Sequence, residues 1–336
     1  MLDRLERPMR DLRISVTDRC NLRCTYCMPR EVYGPGHQFM QREELLTFAE
    51  IARLARVFAR LGVGKIRLTG GEPLLRRGLH GLVGALSAIE GITDLALTTN
   101  GLLLAGNAQR LADAGLARVT VSLDALDRQT AQAMSDTPVR PGRVLEGIDA
   151  AAAAGLAPIK VNMVVRRGVN DHQVPHMAEH FRNRPHVLRF IEYMDVGSSN
   201  GWRIDDVVPA ADILAAIDAR WPLQALPPAG EGEVARRYRY RDGAGEIGVI
   251  GSVSVPFCAT CTRARLSADG KLFTCLFARR GTDLRQLLRS GATDAQITAC
   301  VEAVWSARSD RYSAERSAAS AAAPDPARVE MSYIGG

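Results

Sequence analysis

Three cysteines, Cys20, Cys24 and Cys27, stand in a C-x3-C-x2-C spacing inside the stretch D-R-C-N-L-R-C-T-Y-C-M-P. Thiolates this close together can converge on one metal centre. A structural zinc site would want a fourth Cys or His ligand, and the nearest histidine, His37, is ten residues beyond Cys27. A cubane iron–sulfur cluster held by three cysteines leaves one iron free to bind something else, which makes it a reagent rather than a staple. Spacing alone leaves structural zinc and buried thiols open as plainer readings. Cys258, Cys261 and Cys275 form a second group with spacing C-x2-C-x13-C. No histidine follows His186, and the remaining cysteine, Cys300, lies in an amphipathic pattern where a buried thiol is the usual occupant. A second three-cysteine cluster with an open iron is therefore preferred over zinc with Cys300 as fourth ligand. Arg263 and Arg265 follow Cys261 at two and four residues, on one face if the segment is a strand.

The elements that must hold these groups are short apolar runs alternating with longer amphipathic ones. Candidate strands are Leu12–Thr17, Lys65–Thr69, Asp94–Thr98, Ala117–Leu123, Ile159–Val165 and Val187–Tyr193. Between them lie helical patterns at Glu43–Leu61, Leu79–Ile89, Leu104–Ala114 and Arg143–Ala154, with Gly62, Gly91, Gly115 and Gly155 as stop signals. Six strand–helix repeats predict an α/β fold with parallel strands and right-handed crossovers. A closed or partly closed barrel would gather the strand C-termini, and with them the first cysteines, at one mouth. An open doubly wound sheet satisfies the alternation equally well. The turns T-G-G-E-P, T-T-N-G and S-L-D-A each follow a candidate strand and face that same mouth. Arg13, Arg67, Lys160 and Arg189 sit among apolar neighbours on four different strands. A buried cation is costly unless paired or facing an anion, so the four together suggest a phosphate-bearing substrate.

With 336 residues, 46% of them hydrophobic and 24% charged, the chain has the composition of an ordinary soluble protein. No apolar stretch approaches the ~20 residues of a membrane span, and the first residues lack a secretory apolar core. Six of the seven cysteines fall in two tight groups, which is no disulfide framework and points to a reducing cytoplasm. The net charge of +6 favours anionic partners, but no basic run interleaved with aromatics supports nucleic-acid binding. Residues 1–225 read as the strand–helix unit, and 226–336 as a smaller one holding the second cysteine group. Ser317–Pro326, rich in Ala, Ser and Pro, reads as a flexible linker. The closing S-Y-I-G-G reads as a frayed tail or, through Gly335 and Gly336, as an extended segment able to thread a narrow site.

Taken together, R-I-S-V-T-D-R-C-N-L-R-C-T-Y-C-M-P, T-G-G-E-P-L-L-R, R-F-I-E-Y-M-D-V-G, F-C-A-T-C-T-R-A-R-L and the Gly-Gly end resemble the molybdenum-cofactor biosynthesis protein A family. These are the radical S-adenosylmethionine (SAM) GTP 3′,8-cyclases. The resemblance implies an incomplete (β/α)6 TIM-type barrel whose mouth is closed by a C-terminal domain, a homodimer, and two [4Fe–4S] clusters with SAM as cofactors. Cys20, Cys24 and Cys27 would hold the first cluster; Cys258, Cys261 and Cys275 would hold the second, its free iron presented to guanine. Matching positions assign Tyr26, Gly71, Ser122 and Met194 to SAM. They assign Arg13, Arg67, Thr98, Lys160 and Arg189, with the segment Arg263, Ala264 and Arg265, to GTP. Arg263, Arg265, Gly335 and Gly336 would act in catalysis. The implied reaction starts with reductive cleavage of SAM to a 5′-deoxyadenosyl radical, which takes hydrogen from C3′ of GTP. The C3′ radical then adds to C8 of guanine, in the first step of molybdenum cofactor biosynthesis. An electron donor of reductase or flavodoxin type and a downstream cyclic pyranopterin monophosphate synthase are the implied partners. Two rivals stand against this: a radical SAM enzyme modifying a peptide, which would not need strand-borne cations, and a colourless zinc scaffold.

Overall fold

The computed structural model describes residues 1–230, 232–316, 325 and 327–336. Its strands are β1 (Asp11–Ser15), β2 (Lys65–Thr69), β3 (Asp94–Thr99), β4 (Arg118–Ser122), β5 (Ile159–Val165), β6 (His186–Glu192), β7 (Leu223–Leu226), β8 (Arg236–Tyr240), β9 (Glu246–Ile250), β10 (Arg263–Leu266), β11 (Lys271–Phe273) and β12 (Thr282–Asp283). Helices α1 (Phe48–Arg60), α2 (Leu79–Ser87), α3 (Ala108–Asp113), α4 (Arg128–Ser135), α5 (Pro141–Ala153) and α6 (Val174–Phe181) connect the first six strands. The C-terminal half adds α7 (Ala210–Asp218), α8 (Leu284–Arg289), α9 (Asp294–Ser306), α10 (Tyr312–Glu315) and α11 (Met331–Ile334). Of the expected linker, all but Asp325 lies outside the described residues.

The described strands form one open sheet in the order β12-β11-β10-β1-β2-β3-β4-β5-β6-β9-β8-β7. Strands β1 to β6 are parallel neighbours, the incomplete six-stranded barrel. The later strands extend it at both edges, since β9 pairs parallel with β6 and β10 parallel with β1. This brings Arg263 and Arg265 beside the first strand. Helix α1 shows how the outer layer is held: Ile51, Leu54, Ala55 and Phe58 recur at helical spacing and are completely buried.

Local chemistry moved several expected boundaries. The first helix begins at Phe48 rather than near Glu43 because Thr47 and Glu50 form a reciprocal capping box. The third begins at Ala108, and the fifth starts early, with Pro141 in its first turn. Gly62, Gly115 and Gly155 follow the caps of α1, α3 and α5, but α2 stops at Ser87 and Gly91 belongs to the next turn. Among the described residues no helix is long and apolar enough to cross a membrane.

Candidate active site

The first cysteine loop leaves β1 and is fastened from three sides. The Arg23 guanidinium donates to the carbonyls of Cys20 (2.9 Å), Leu22 (2.8 Å) and Tyr33 (2.6 Å). The backbone N–H groups of Arg23 and Thr25 donate to Ser135 and Met134 at the end of α4. Those of Gly71 and Glu72, in the Gly-Gly turn after β2, donate to Thr17 and Arg19 at 2.8 Å. Burial pushes the Cys20 thiol up to about 11, and those of Cys24 and Cys27 are raised as well. Thiolates in such a place need a cation among them, so the donor set fits a metal cluster.

Two carboxylates stand beside this loop. Glu72 is 1% exposed and accepts from the Thr99 hydroxyl (2.8 Å) and the N–H groups of Leu74 (3.0 Å) and Asn100 (2.8 Å). Burial nevertheless raises it to about 7. Asp124 accepts from the Tyr26 hydroxyl (2.8 Å) and the Val164 N–H (2.9 Å), and burial lifts it to about 6. Sequence reasoning passed over Glu72, Asn100 and Asp124. The signal was present, because each belongs to a turn already read as facing the mouth.

Opposite lies a basic wall whose order comes from the sheet register. Arg13 on β1 is the lateral partner of Arg67 on β2 and of Arg265 on β10, so the three side chains stand about one strand spacing, ~4.8 Å, apart on one face. In the layer below, Asp11 and Asp94 neutralise Lys65 (3.4 and 4.0 Å), and Asp94 also pairs with Arg118. The upper layer has neutral partners only. Arg67 donates to the hydroxyls of Thr98 (3.2 Å) and Thr120 (3.0 Å), and Arg189 to the Asn162 side-chain oxygen (2.9 Å). Arg265 donates to the Gly335 carbonyl, and the buried Nε of Arg13 has no hydrogen-bond partner among the described residues. Burial, reinforced by the other arginines, drives Arg13 well below its ordinary range, Arg189 down to about 9 and Arg265 to about 10. A dense group of desolvated cations whose hydrogen-bond partners are all neutral, with Asp11 and Asp94 facing them only from the layer below, is a site for a multiply charged anion.

The second cysteine loop is held by a buried ionic knot that sequence reasoning missed. Arg7 donates to the carbonyls of Cys258 and Asp310 (both 2.8 Å), and Arg308 to that of Cys261 (2.8 Å). The fully buried Asp3 carboxylate joins both arginines at 2.7 and 3.1 Å. These residues are distant in sequence and match no motif. Removing one partner of a buried pair costs ~3–5 kcal/mol. Asp3→Ala should therefore lower unfolding stability by about 3 kcal/mol in denaturant melts; a loss within the ~0.5 kcal/mol typical of surface changes would contradict this. Burial raises Cys275 to about 11. At Cys261 burial acts the same way, but Arg263, 3.2 Å from the sulfur, and Arg308 overcome it and bring the thiol down to about 6. Cys300, on α9, is not at this cavity.

The chain end is anchored, not frayed. Ile334 is completely buried, the Tyr333 hydroxyl donates to Asp269 (2.6 Å), and Gly336 lines the cavity. Gly335 has φ +76°, and a β-carbon there would overlap the Thr69 hydroxyl. Only glycine fits that passage.

All these surfaces enclose one cavity of about 330 Å³. It is lined by both cysteine triads and by Tyr26, Gly71, Ser122 and Met194. Arg13, Arg67, Thr98, Arg189, Arg263 and Arg265 line it too. Three expected residues do not. Lys160 is half-buried on the same face of β5 as Asn162 and Val164 but lower down, where burial and Arg189 bring it to about 8. Ala264 points to the opposite face, into the core, and Gly335 stands behind Gly336.

A partial parallel barrel with an open three-cysteine loop at its mouth defines a radical SAM enzyme. The sequence profile described as Radical SAM superfamily matches residues 14–181, and that described as Molybdenum Cofactor Synthesis C matches 186–314. A GTP 3′,8-cyclase of Acidothermus cellulolyticus is 57% identical, over 99% of this chain and 98% of the relative. One of Staphylococcus carnosus is 48% identical with the same coverage of both chains. The solved structure of Streptococcus suis SuiB bound to S-adenosylmethionine aligns with TM-score 0.61 over 87% of this chain and 68% of that one; at 15% identity the likeness is one of fold. The chain belongs to the GTP 3′,8-cyclase family, the radical SAM enzymes of the first step of molybdenum cofactor biosynthesis. SAM and an iron–sulfur cluster are the cofactors of that superfamily.

Proposed function

We propose that this cavity converts GTP to (8S)-3′,8-cyclo-7,8-dihydroguanosine 5′-triphosphate, with two [4Fe–4S] clusters, one on each cysteine triad. The observation that carries the reading is the meeting of both triads and the unpaired arginines in one cavity. Cys20, Cys24 and Cys27 would hold the first cluster, which when bound would supply the electron for reductive cleavage of SAM and so for hydrogen removal from the ribose. Tyr26, Gly71, Ser122 and Met194 bind SAM on the side of the first triad. Arg13, Arg67, Thr98 and Arg189 hold the triphosphate, with Lys160 reaching up from the layer below. Arg263 and Arg265, with the backbone of Ala264 between them, orient the nucleoside toward the second triad. Arginine cannot give up a proton near neutral pH, so the two act by charge and geometry. Gly335 and Gly336 complete the wall and help exclude water. Residues 1–225 carry the radical machinery and 226–336 the second triad and tail. The protein works as a cytoplasmic homodimer, reduced by a reductase or flavodoxin-type donor, and its product passes to cyclic pyranopterin monophosphate synthase.

Incubating reconstituted, reduced protein with SAM and GTP deuterated at C3′ tests the reading. Deuterium should arrive in 5′-deoxyadenosine alongside cyclised product. Transfer from another ribose position, or none, rules the assignment out. Arg263→Ala and Arg265→Ala should lower cyclised product by about 10²-fold, the cost of a misplacement near 1 Å, with SAM cleavage retained. Unimpaired cyclisation by both variants would remove them from the mechanism.

A further inference from the structure

Asp195 follows cavity-lining Met194 at the end of β6 and is 6% exposed. Its Oδ1 accepts from Arg316 (2.6 Å), and its Oδ2 from the Tyr312 hydroxyl (2.5 Å) and Arg328 (3.1 Å). Arg328 also donates to the Asp195 carbonyl at 2.9 Å. All of these partners lie in the last 25 residues of the chain, and none belongs to the barrel that Asp195 is part of. Three residues on, the backbone N–H and hydroxyl of Ser198 both donate to Glu330 at 2.9 Å. Gly197 between them has φ +68°, and a β-carbon there would overlap the Glu330 carboxylate. The loop thus faces the C-terminal region at two points: the Asp195 carboxylate takes Tyr312, Arg316 and Arg328, while Ser198 offers two donors to Glu330 and Gly197 leaves out the side chain where they meet.

We propose that loop 195–198 is the docking site for residues 328–330 and, through them, positions Gly336 in the substrate cavity and Gly335 against Thr69 and Arg265 at its wall. The path between is short and stiff. Glu330 caps α11, the Ile334 N–H returns to the Glu330 carbonyl, and Gly335 follows directly. At ~1.5 Å rise per residue a single turn keeps Gly335 close to Glu330, so the position of Glu330 limits where Gly335 can lie. Asp195 and Ser198 are positioning residues. They touch the tail, and the tail touches the cavity. This rests on the reading that the tail completes the GTP site.

The test uses full-length, reconstituted Asp195→Asn, Arg328→Ala and the double variant, with two readouts. Hydrogen exchange of the peptide 329–336 should quicken at least tenfold in each single variant, while peptides from β1 to β6 and iron content stay as in wild type. Formation of cyclised product should fall at least tenfold in each, and the double variant should lose less than the product of the two single losses, because both break the shared Asp195–Arg328 contact. Exchange that quickens across the sheet, or losses that multiply in the double variant, would overturn the proposal by making Asp195 a general structural residue. Unchanged exchange at 329–336 would overturn it outright. Should Asp195→Asn fail to fold, Glu330→Gln with Ser198→Ala puts the same two questions to the other half of the dock. If wild type itself makes no cyclised GTP, the functional reading fails, while hydrogen exchange still decides the docking.

Discussion

Replacing Cys20, Cys24 and Cys27 together by alanine should abolish reductive cleavage of SAM and leave about half of the iron. The first part follows from the donor chemistry. These sulfurs sit in a loop whose carbonyls are gripped by Arg23 and whose N–H groups are tied to α4, so the loop's course does not depend on the sulfurs themselves. The second part follows from the separate mounting of the other triad. Cys258 and Cys261 take their support from Arg7, Arg308 and Asp3, none of which touches the first loop. Loss of one triad should therefore leave the other able to load. Two cubane clusters correspond to about eight irons per chain, so the variant should retain about four, read by iron analysis and by the absorption of anaerobically reconstituted protein. Stoichiometric zinc in place of iron, or SAM cleavage persisting without these cysteines, would sink the assignment.

Much of this site could be read from the sequence because its chemistry is local. Cys20, Cys24 and Cys27 fall within eight residues, and Arg263 and Arg265 follow Cys261 closely enough to move with it. Six strands were visible because apolar runs and stop signals alternate. Helices α4 and α6 were not, since R-Q-T-A-Q-A-M-S carries few apolar residues and α6 has Pro175 in its first turn. Contacts that depend on chain crossing left no trace. The Asp3–Arg7–Arg308 knot joins residues about 300 apart, and the lateral row Arg265–Arg13–Arg67 exists only because β10 pairs with β1. The sequence suggested a separate small unit, whereas β9 and β10 each complete an edge of the same sheet. The tail was undecided for a related reason. Whether a Gly-Gly end frays or threads depends on the Thr69 hydroxyl, more than 260 residues away.

The row of arginines carries the other large expected effect, and it runs in opposite directions for binding and for stability. The variant is the double substitution Arg13→Met with Arg67→Met. Each charge-assisted contact to a phosphate is worth roughly 1.5–3 kcal/mol. Losing two should therefore weaken GTP binding by about 10²–10⁴-fold, at ~1.4 kcal/mol per decade. The two side chains are lateral neighbours, so the combined loss need not equal the sum of the single ones. Stability without nucleotide should not fall with it. Both guanidinium groups are desolvated, Arg13 Nε is unpartnered, and Arg67 has only hydroxyls. Neither makes an ion pair, and Asp11, whose charge reaches both, keeps Lys65 as its partner. Exchanging a buried charge without an ion-pair partner for a similar-sized apolar chain is often neutral or stabilising. The ligand-free variant should thus melt at the same temperature as wild type or above it. GTP should raise the melting temperature of wild type alone, because a ligand stabilises only the state that binds it. Iron content should be unchanged, since neither arginine contacts a cysteine loop. Wild-type affinity for GTP in the double variant would show the row to be structural. A clear drop in ligand-free melting temperature would show that its charges are already compensated within the fold.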